Sequence, residues 1–210
     1  SDVCSSDLEA CYRHATEKDP KNAKAHLNLG NLLFQRNDFA PALTCYDAVL
    51  ALSPADSLAH KNRSRALRSL KDNDESLKAV ERAVELRPDD AIFQLEYANA
   101  LRDDGQTQKA ATHFQIALRI DPNNIPVLCN LGGVLKDLGR RDEAQEMLER
   151  AIDIDPDCAE AYINLANLAF DREEHQQSIE LVEAALAIRP NRSEERRVGK
   201  EWRARVMPWT

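Results

Sequence analysis

Residues 28–54 read NLGNLLFQRNDFAPALTCYDAVLALSP, and the arrangement of small, large and breaking residues in this stretch decides the fold. Leu29, Leu32 and Leu33 recur at helical spacing, then Arg36-Asn37-Asp38 interrupts with polar side chains. A second apolar run follows and stops two residues short of Pro54, at Leu52. Proline has no amide hydrogen and pushes its predecessor away from helical angles, so it ends the second helix. Small residues stand at Gly30, Ala42 and Val49, and large ones at Leu33 and Tyr46. That alternation suits two helices whose backbones approach closely. The stretch therefore predicts one helical hairpin.

The same hairpin recurs along the chain. Pro20, Pro54, Pro88, Pro122, Pro156 and Pro190 are each 34 residues apart, and only Pro41, Pro126 and Pro208 fall outside the series. Twenty-four residues before each proline stand Gly30, Ser64, Ala98, Gly132 and Ala166, and twelve before it stand Ala42, Ser76, Ala110, Ala144 and Ser178. Facing them, Tyr46, Val80, Phe114, Leu148 and Val182 supply bulk. First helices are expected near 23–36, 57–70, 91–103, 125–138 and 159–172. Polar breaks at 36–38, 72–74, 103–105, 138–140 and 172–174 precede second helices that end at Leu52, Leu86, Ile120, Ile154 and Ile188. Asp or Asn after several prolines, as in Pro88-Asp89-Asp90, Pro122-Asn123-Asn124 and Pro156-Asp157, offers side-chain oxygens to cap the next helix.

This pattern resembles the tetratricopeptide repeat, whose 34-residue unit reads W-x2-L-G-x2-Y…A-x3-F…P. The nearest matches are Leu29-Gly30…Leu33…Ala42…Tyr46…Pro54 and Leu131-Gly132…Leu135…Ala144…Leu148…Pro156. His26, His60, Gln94, Leu128 and Tyr162 stand where the pattern opens with Trp. The second unit departs further, with Arg63 in place of Leu; its guanidinium is expected to reach the rim on its apolar stem. The resemblance implies an all-α, right-handed α-solenoid of about eleven helices without strands. Five units are expected at 23–56, 57–90, 91–124, 125–158 and 159–191, preceded by the second helix of a truncated unit at 9–22.

Composition agrees with a folded helical protein: 210 residues, 43% hydrophobic, six Gly and a net charge of −8. The acidic balance argues against nucleic acid as a partner, because phosphate needs a basic face. No apolar run reaches the length of a membrane span, so no membrane association is expected. Cys4, Cys11, Cys45, Cys129 and Cys158 lie at irregular spacings without a C-x-x-C. That signals neither a metal site nor a disulfide framework, and it suits reduced thiols in a cytoplasmic protein.

The two ends do not follow the repeat. Ser1-Asp2-Val3-Cys4-Ser5-Ser6-Asp7-Leu8 and the stretch from Arg192 resemble translations of the adapter oligonucleotides used in short-read DNA sequencing. TCA-GAC-GTG-TGC-TCT-TCC-GAT-CT reads as the first, and AGA-TCG-GAA-GAG-CGT-CGT-GTA reads Arg-Ser-Glu-Glu-Arg-Arg-Val. Residues 1–8 and 192–210 are therefore expected to be adapter-derived, and the remainder to be a piece of a longer bacterial protein from environmental DNA.

No phosphate loop, H-E-x-x-H or G-x-S-x-G is present, the five His are scattered, and no catalytic residue, metal ligand or cofactor site is expected. Function is instead expected on the first helices, which the family resemblance places on the concave wall. Asn28, Asn62, Glu96, Asn130 and Asn164 form one column there, and Asn31, Arg65, Asn99, Gly133 and Asn167 another three residues on. Asn is a poor residue for a helix interior, so its recurrence at seven of these ten positions calls for a cause. An amide carries donor and acceptor together and can grip the backbone of an extended peptide. The columns are similar to the asparagine ladder of O-linked N-acetylglucosamine transferases. The competing reading is that these amides bond one another across adjacent helices. Arg65, Arg68, Arg102 and Lys136 add a basic strip suited to an acidic peptide, unless Glu96, Asp103 and Asp137 neutralise it. The carboxylate clamp of chaperone-binding relatives is not matched, since Ile92 and Glu96 occupy two of its basic positions. The expected role is a protein-interaction scaffold with a protein or peptide partner. The alternative is the substrate-recruiting arm of a larger glycosyl- or sulfotransferase.

Overall fold

The computed structural model describes residues 2–188, with the side chains of residues 2–6 excepted. The expectation for residues 192–210 lies outside the described residues. Eleven helices and no strand occur among those described: α1 (Asp2–Lys18), α2 (Ala23–Gln35), α3 (Phe39–Leu52), α4 (Ser57–Ser69), α5 (Asn73–Leu86), α6 (Ala91–Asp103), α7 (Thr107–Ile120), α8 (Ile125–Asp137), α9 (Arg141–Ile154), α10 (Ala159–Asp171) and α11 (His175–Ile188). The second helices end at the five residues the proline rule assigns. The all-α expectation holds.

Two compact units divide the described residues, one ending at His113 and the other beginning at Phe114. In the first, α2 packs on α3 and α4 on α5, each pair antiparallel across a short turn. Its core gathers Leu29, Leu33, Ala42, Cys45, Tyr46 and Ala66, with Tyr12 of α1 packed against them. Gly30 is required here: a Cβ on it would stand 2.7 Å from Tyr46 Cε1. In the second unit α8 packs on α9 and α10 on α11, and Gly132 meets Leu148 at the same 2.7 Å. Leu128, Leu131, Leu135 and Leu148 are fully buried around it.

Three details depart from the sequence reading. The second polar break lies at Leu70-Lys71-Asp72 rather than 72–74, because Asp72 caps α5 by accepting from Glu75 N (3.3 Å). Asp157 does not cap α10; the N-cap position is Cys158, which makes no side-chain capping bond. And α1 begins at Asp2, ahead of residue 9 where repeat logic starts. Once a turn is nucleated each added residue gains one backbone bond, so a helix can extend beyond the segment that follows the repeat. Arg63 behaves as expected. Its Nε donates to Asp47 Oδ1 of α3 at 2.8 Å, where the carboxylate is exposed.

Candidate functional site

Helices α2, α4 and α6 carry the candidate residues of the first unit, and α8 and α10 those of the second. All twelve are half-buried: Asn28, Asn31, Asn62, Arg65, Arg68, Glu96, Asn99, Arg102, Asn130, Lys136, Asn164 and Asn167. Side chains so placed have their stems in the packing and their polar ends at a surface.

Between α2 and α4 the first unit holds an open groove of ≈ 520 Å³. Asn31, Asn62 and Arg65 line it, together with Leu27, Phe34, Leu58, Lys61 and Tyr46. Asn62 Nδ2 donates to Asn31 Oδ1 at 2.8 Å, and the Tyr46 hydroxyl donates to the same oxygen at 3.1 Å. Burial pushes the Tyr46 phenol up to about 12, so it stays a donor across the physiological range. Asn31's oxygen is thus saturated, while its Nδ2 and the oxygen of Asn62 keep their hydrogen-bonding capacity. The Arg65 guanidinium lies over Phe34, its Cζ 4.7 Å from the ring centroid.

Beyond the groove, charges alternate along the wall. Glu96 sits between Arg65 Nε (3.4 Å) and Arg68 Nη1 (3.3 Å), and Asp103 between Arg68 Nε (3.5 Å) and Arg102 Nε (3.6 Å). The basic strip is therefore neutralised in large part, as the competing reading holds. Among the described residues three buried side-chain atoms have no hydrogen-bond partner: Arg68 Nη1, Glu96 Oε2 and Asn99 Oδ1. For Arg68 and Glu96 the ion pair supplies attraction without hydrogen-bond geometry. Asn99 Oδ1 has no such compensation, and an orphaned buried carbonyl is costly.

In the second unit Asn164 Nδ2 donates to the Cys129 carbonyl at 3.4 Å, from α10 back to α8. Lys136 Nζ stands between Asp137 (3.9 Å) and Asp171 (3.8 Å). Asn130 and Asn167 occupy the same helix faces, half-buried. Asn62–Asn31 and Asn164–Cys129 thus bridge adjacent first helices. Asn28 lies on α2 away from the groove lining.

Lys61, Leu27 and Leu58 also line this groove, and the amide columns alone do not reveal them. Lys61 Nζ sits 5.7 Å from the Phe93 centroid, with no carboxylate in ion-pair range among the described residues. Burial lowers its pKa, and Glu96 partly offsets that. The signal was available: Leu27, Leu58 and Lys61 stand four residues before Asn31, Asn62 and Arg65 and so lie one turn away on the same helix face. Among the described residues no group of three His, Cys, Asp or Glu side chains could hold a metal ion, and no helix is long and apolar enough to cross a membrane.

A family model described as Tetratricopeptide repeat matches residues 9–57, 28–90, 61–125 and 129–193, and a second of the same description matches 101–152. No curated protein sequence matches the chain. Among solved structures, TTC0263 of Thermus thermophilus, a thermophilic TPR protein, superposes with TM-score 0.75 at 22% identity, covering 86% of this chain and 98% of its own. YrrB, described as a TPR protein with an unusual peptide-binding site, gives 0.65 at 22% identity over 90% and 97% of the two chains. The Cut9–Hcn1 structure of the APC/C gives 0.81 at 17% identity, over 95% of this chain and 40% of the other. At these identities the likeness is one of fold.

Proposed function

Since the chain belongs to the tetratricopeptide-repeat family, a family whose solved members include a peptide binder, we propose that it is a protein-interaction scaffold that holds an extended peptide along the amide columns of its first helices. The observation that carries this reading is the unspent hydrogen-bonding capacity of the wall. Asn31 and Asn62, which line the groove, present a donor and an acceptor to it. A peptide backbone supplies alternating N–H and C=O groups, which such amides match whatever the side chains. Leu27, Phe34 and Leu58 give an apolar side chain a place to bury, and Lys61 gives a carboxylate a partner. The preferred ligand is an extended segment with an apolar anchor next to an acidic residue. The role is one of binding.

Each amide–backbone bond contributes about 0.5–1.5 kcal/mol net, so affinity comes from several rungs together. Peptide-array binding to the chain should change little in Asn99→Ala. The triple variant Asn130→Ala, Asn164→Ala, Asn167→Ala should lose about 3 kcal/mol, more than a hundredfold in Kd. Retention of the same peptides at the same affinity by the triple variant would assign the amides to bridging between helices and move the binding surface elsewhere.

A further inference from the structure

Two of the five thiols meet inside the second unit. Cys129 of α8 and Cys158, the residue before α10, place their sulfurs 3.7 Å apart, at 1% and 8% exposure. Each also breaks the pattern of its column. At the N-cap position Asn22, Asp56, Asp90 and Asn124 all accept a backbone N–H through a side-chain oxygen, at 2.9–3.2 Å. Cys158 makes no such bond and forfeits the cap. In the other column Leu27, Lys61, Leu95 and Ile163 are all longer side chains than Cys129. Two repeat rules are relaxed at two positions, and the two positions touch.

We infer that Cys129 and Cys158 are a redox pair that closes to an intramolecular disulfide when a hydroperoxide reaches them. Cys158 is the more exposed sulfur and meets the oxidant first. It attacks the distal peroxide oxygen, the O–O bond breaks, and a sulfenic acid and water (or an alcohol) result. Cys129 then attacks the Cys158 sulfur, and the S–O bond breaks. The hydroxide leaves as water with the Cys129 proton, and two thiols and one hydroperoxide have become one disulfide. Burial and the neighbouring sulfur hold the Cys129 thiol well above its ordinary value, so the second step is the slower of the two and relies on the sulfurs already being in contact. The sulfurs must close from 3.7 Å to about 2.05 Å. Pro156 and Asp157 form an exposed turn next to Cys158, so one end of the pair lies outside helix and can make that movement. The bond would staple α8 to the start of α10, the two helices that bear Asn130 and Asn164.

The test uses the full chain with Cys4, Cys11 and Cys45 changed to Ser, treated with hydrogen peroxide and alkylated after denaturation. Loss of two hydrogens, a Cys129–Cys158 cross-linked peptide on mapping, and reversal by dithiothreitol are expected. The oxidised form should melt about 5–10 °C higher, since the bond closes a loop of some thirty residues. Cys158→Asp, which restores the missing cap and so keeps the fold, should show neither cross-link nor oxidative gain. Full alkylation of both thiols after peroxide, or a stop at sulfinic acid on Cys158 with Cys129 still alkylated, would overturn the inference and leave the pair as a packing contact.

Discussion

At the scale of single residues, five turn positions share one backbone conformation. Asn37, Lys71, Gly105, Gly139 and Glu173 all have φ between 64° and 78°, and they are spaced by the repeat. At each, the residue's own N–H bonds the carbonyl three back and the next N–H bonds the carbonyl five back, as Gly139 to Lys136 and Arg140 to Leu135 do at 2.9 Å. The left-handed region favours glycine, so three of five sites carry strain. Lys71→Gly should raise stability by about 0.5 kcal/mol, the relief of strain being partly offset by a more flexible unfolded chain. Gly139→Ala should lower it by about 1 kcal/mol although its Cβ would meet nothing. Urea titration of both variants checks the opposite signs. A second column, at the position of the missing Trp, bonds the preceding turn in three of the five units. His26 Nε2, His60 Nε2 and Gln94 Nε2 each donate to the carbonyl of the proline six residues before, at 2.8–3.1 Å. Indole would fill that space; these residues satisfy the turn instead. With its Nε2 so engaged, Gln94 offers Oε1 to His113, whose Nδ1 donates at 2.8 Å under the edge of Tyr97. Burial lowers the His113 pKa below its ordinary 6.5. The unfolded chain then takes up the proton first as pH falls, so this contribution is whole above pH 6.5 and declines below it. The melting temperature should fall as pH drops below about 6.5, and His113→Gln should flatten that part of the profile; an unchanged slope would show that His113 does not carry it.

Elements were the most legible scale. Proline spacing placed the ends of the second helices, because a residue that cannot donate ends a helix wherever it falls. Composition served less well in the turns: Asp72-Asn73-Asp74 is the more polar triplet, yet Leu70-Lys71-Asp72 is the turn, since Asp72 and Asn73 gain more as cap and first helical residue. The amides were legible as columns on one helix face, but their bonds to one another depend on rotamers that spacing does not set. The Cys129–Cys158 approach had no sequence motif to announce it. The small-residue columns held a further surprise. They were expected only to let backbones approach, yet in the α4–α5 hairpin Ser76 Oγ donates to the Ser64 carbonyl at 3.0 Å and lies 2.9 Å from Ser64 Oγ. Ser178 repeats this on the Ala166 carbonyl in α10–α11. With Ser76's proton committed, Ser64 must donate to Ser76 Oγ. Ser76→Ala therefore strands a buried hydroxyl and should cost about 1–3 kcal/mol. Ser64→Ala, Ser76→Ala together recreate the Ala98/Ala110 pair of the next hairpin and should cost no more than Ser76→Ala alone. Denaturant melts of these two variants and of Ser64→Ala alone give the coupling directly, and simple additivity would mean the pair does not act as a unit.

On the scale of the whole chain, stability in a stack of hairpins comes from each element covering its neighbour, so an end helix matters by what it covers. For α1 that cover starts late. Asp7 is exposed and Leu8 is 44% exposed, so the helical backbone there rests on nothing. Among the described side chains the first engaged is Glu9, which pairs with Arg13 at 2.6 Å and reaches across to Arg36 of the next hairpin. Tyr12 follows, packed on the cluster of Leu29, Leu33 and Tyr46. Exposed ion pairs contribute little, whereas an uncovered cluster edge returns a large aromatic contact and its apolar neighbours to water. Removal of residues 1–8 should therefore shift the melting temperature by less than about 2 °C, as expected of a segment foreign to the repeat. Removal of residues 1–18 takes Tyr12 and Glu9 as well and should lower it by about 5 °C or more. Equal losses in the two truncations, read by circular dichroism at about 222 nm, would mean that the first eight residues anchor α1 and that repeat logic begins earlier than residue 9.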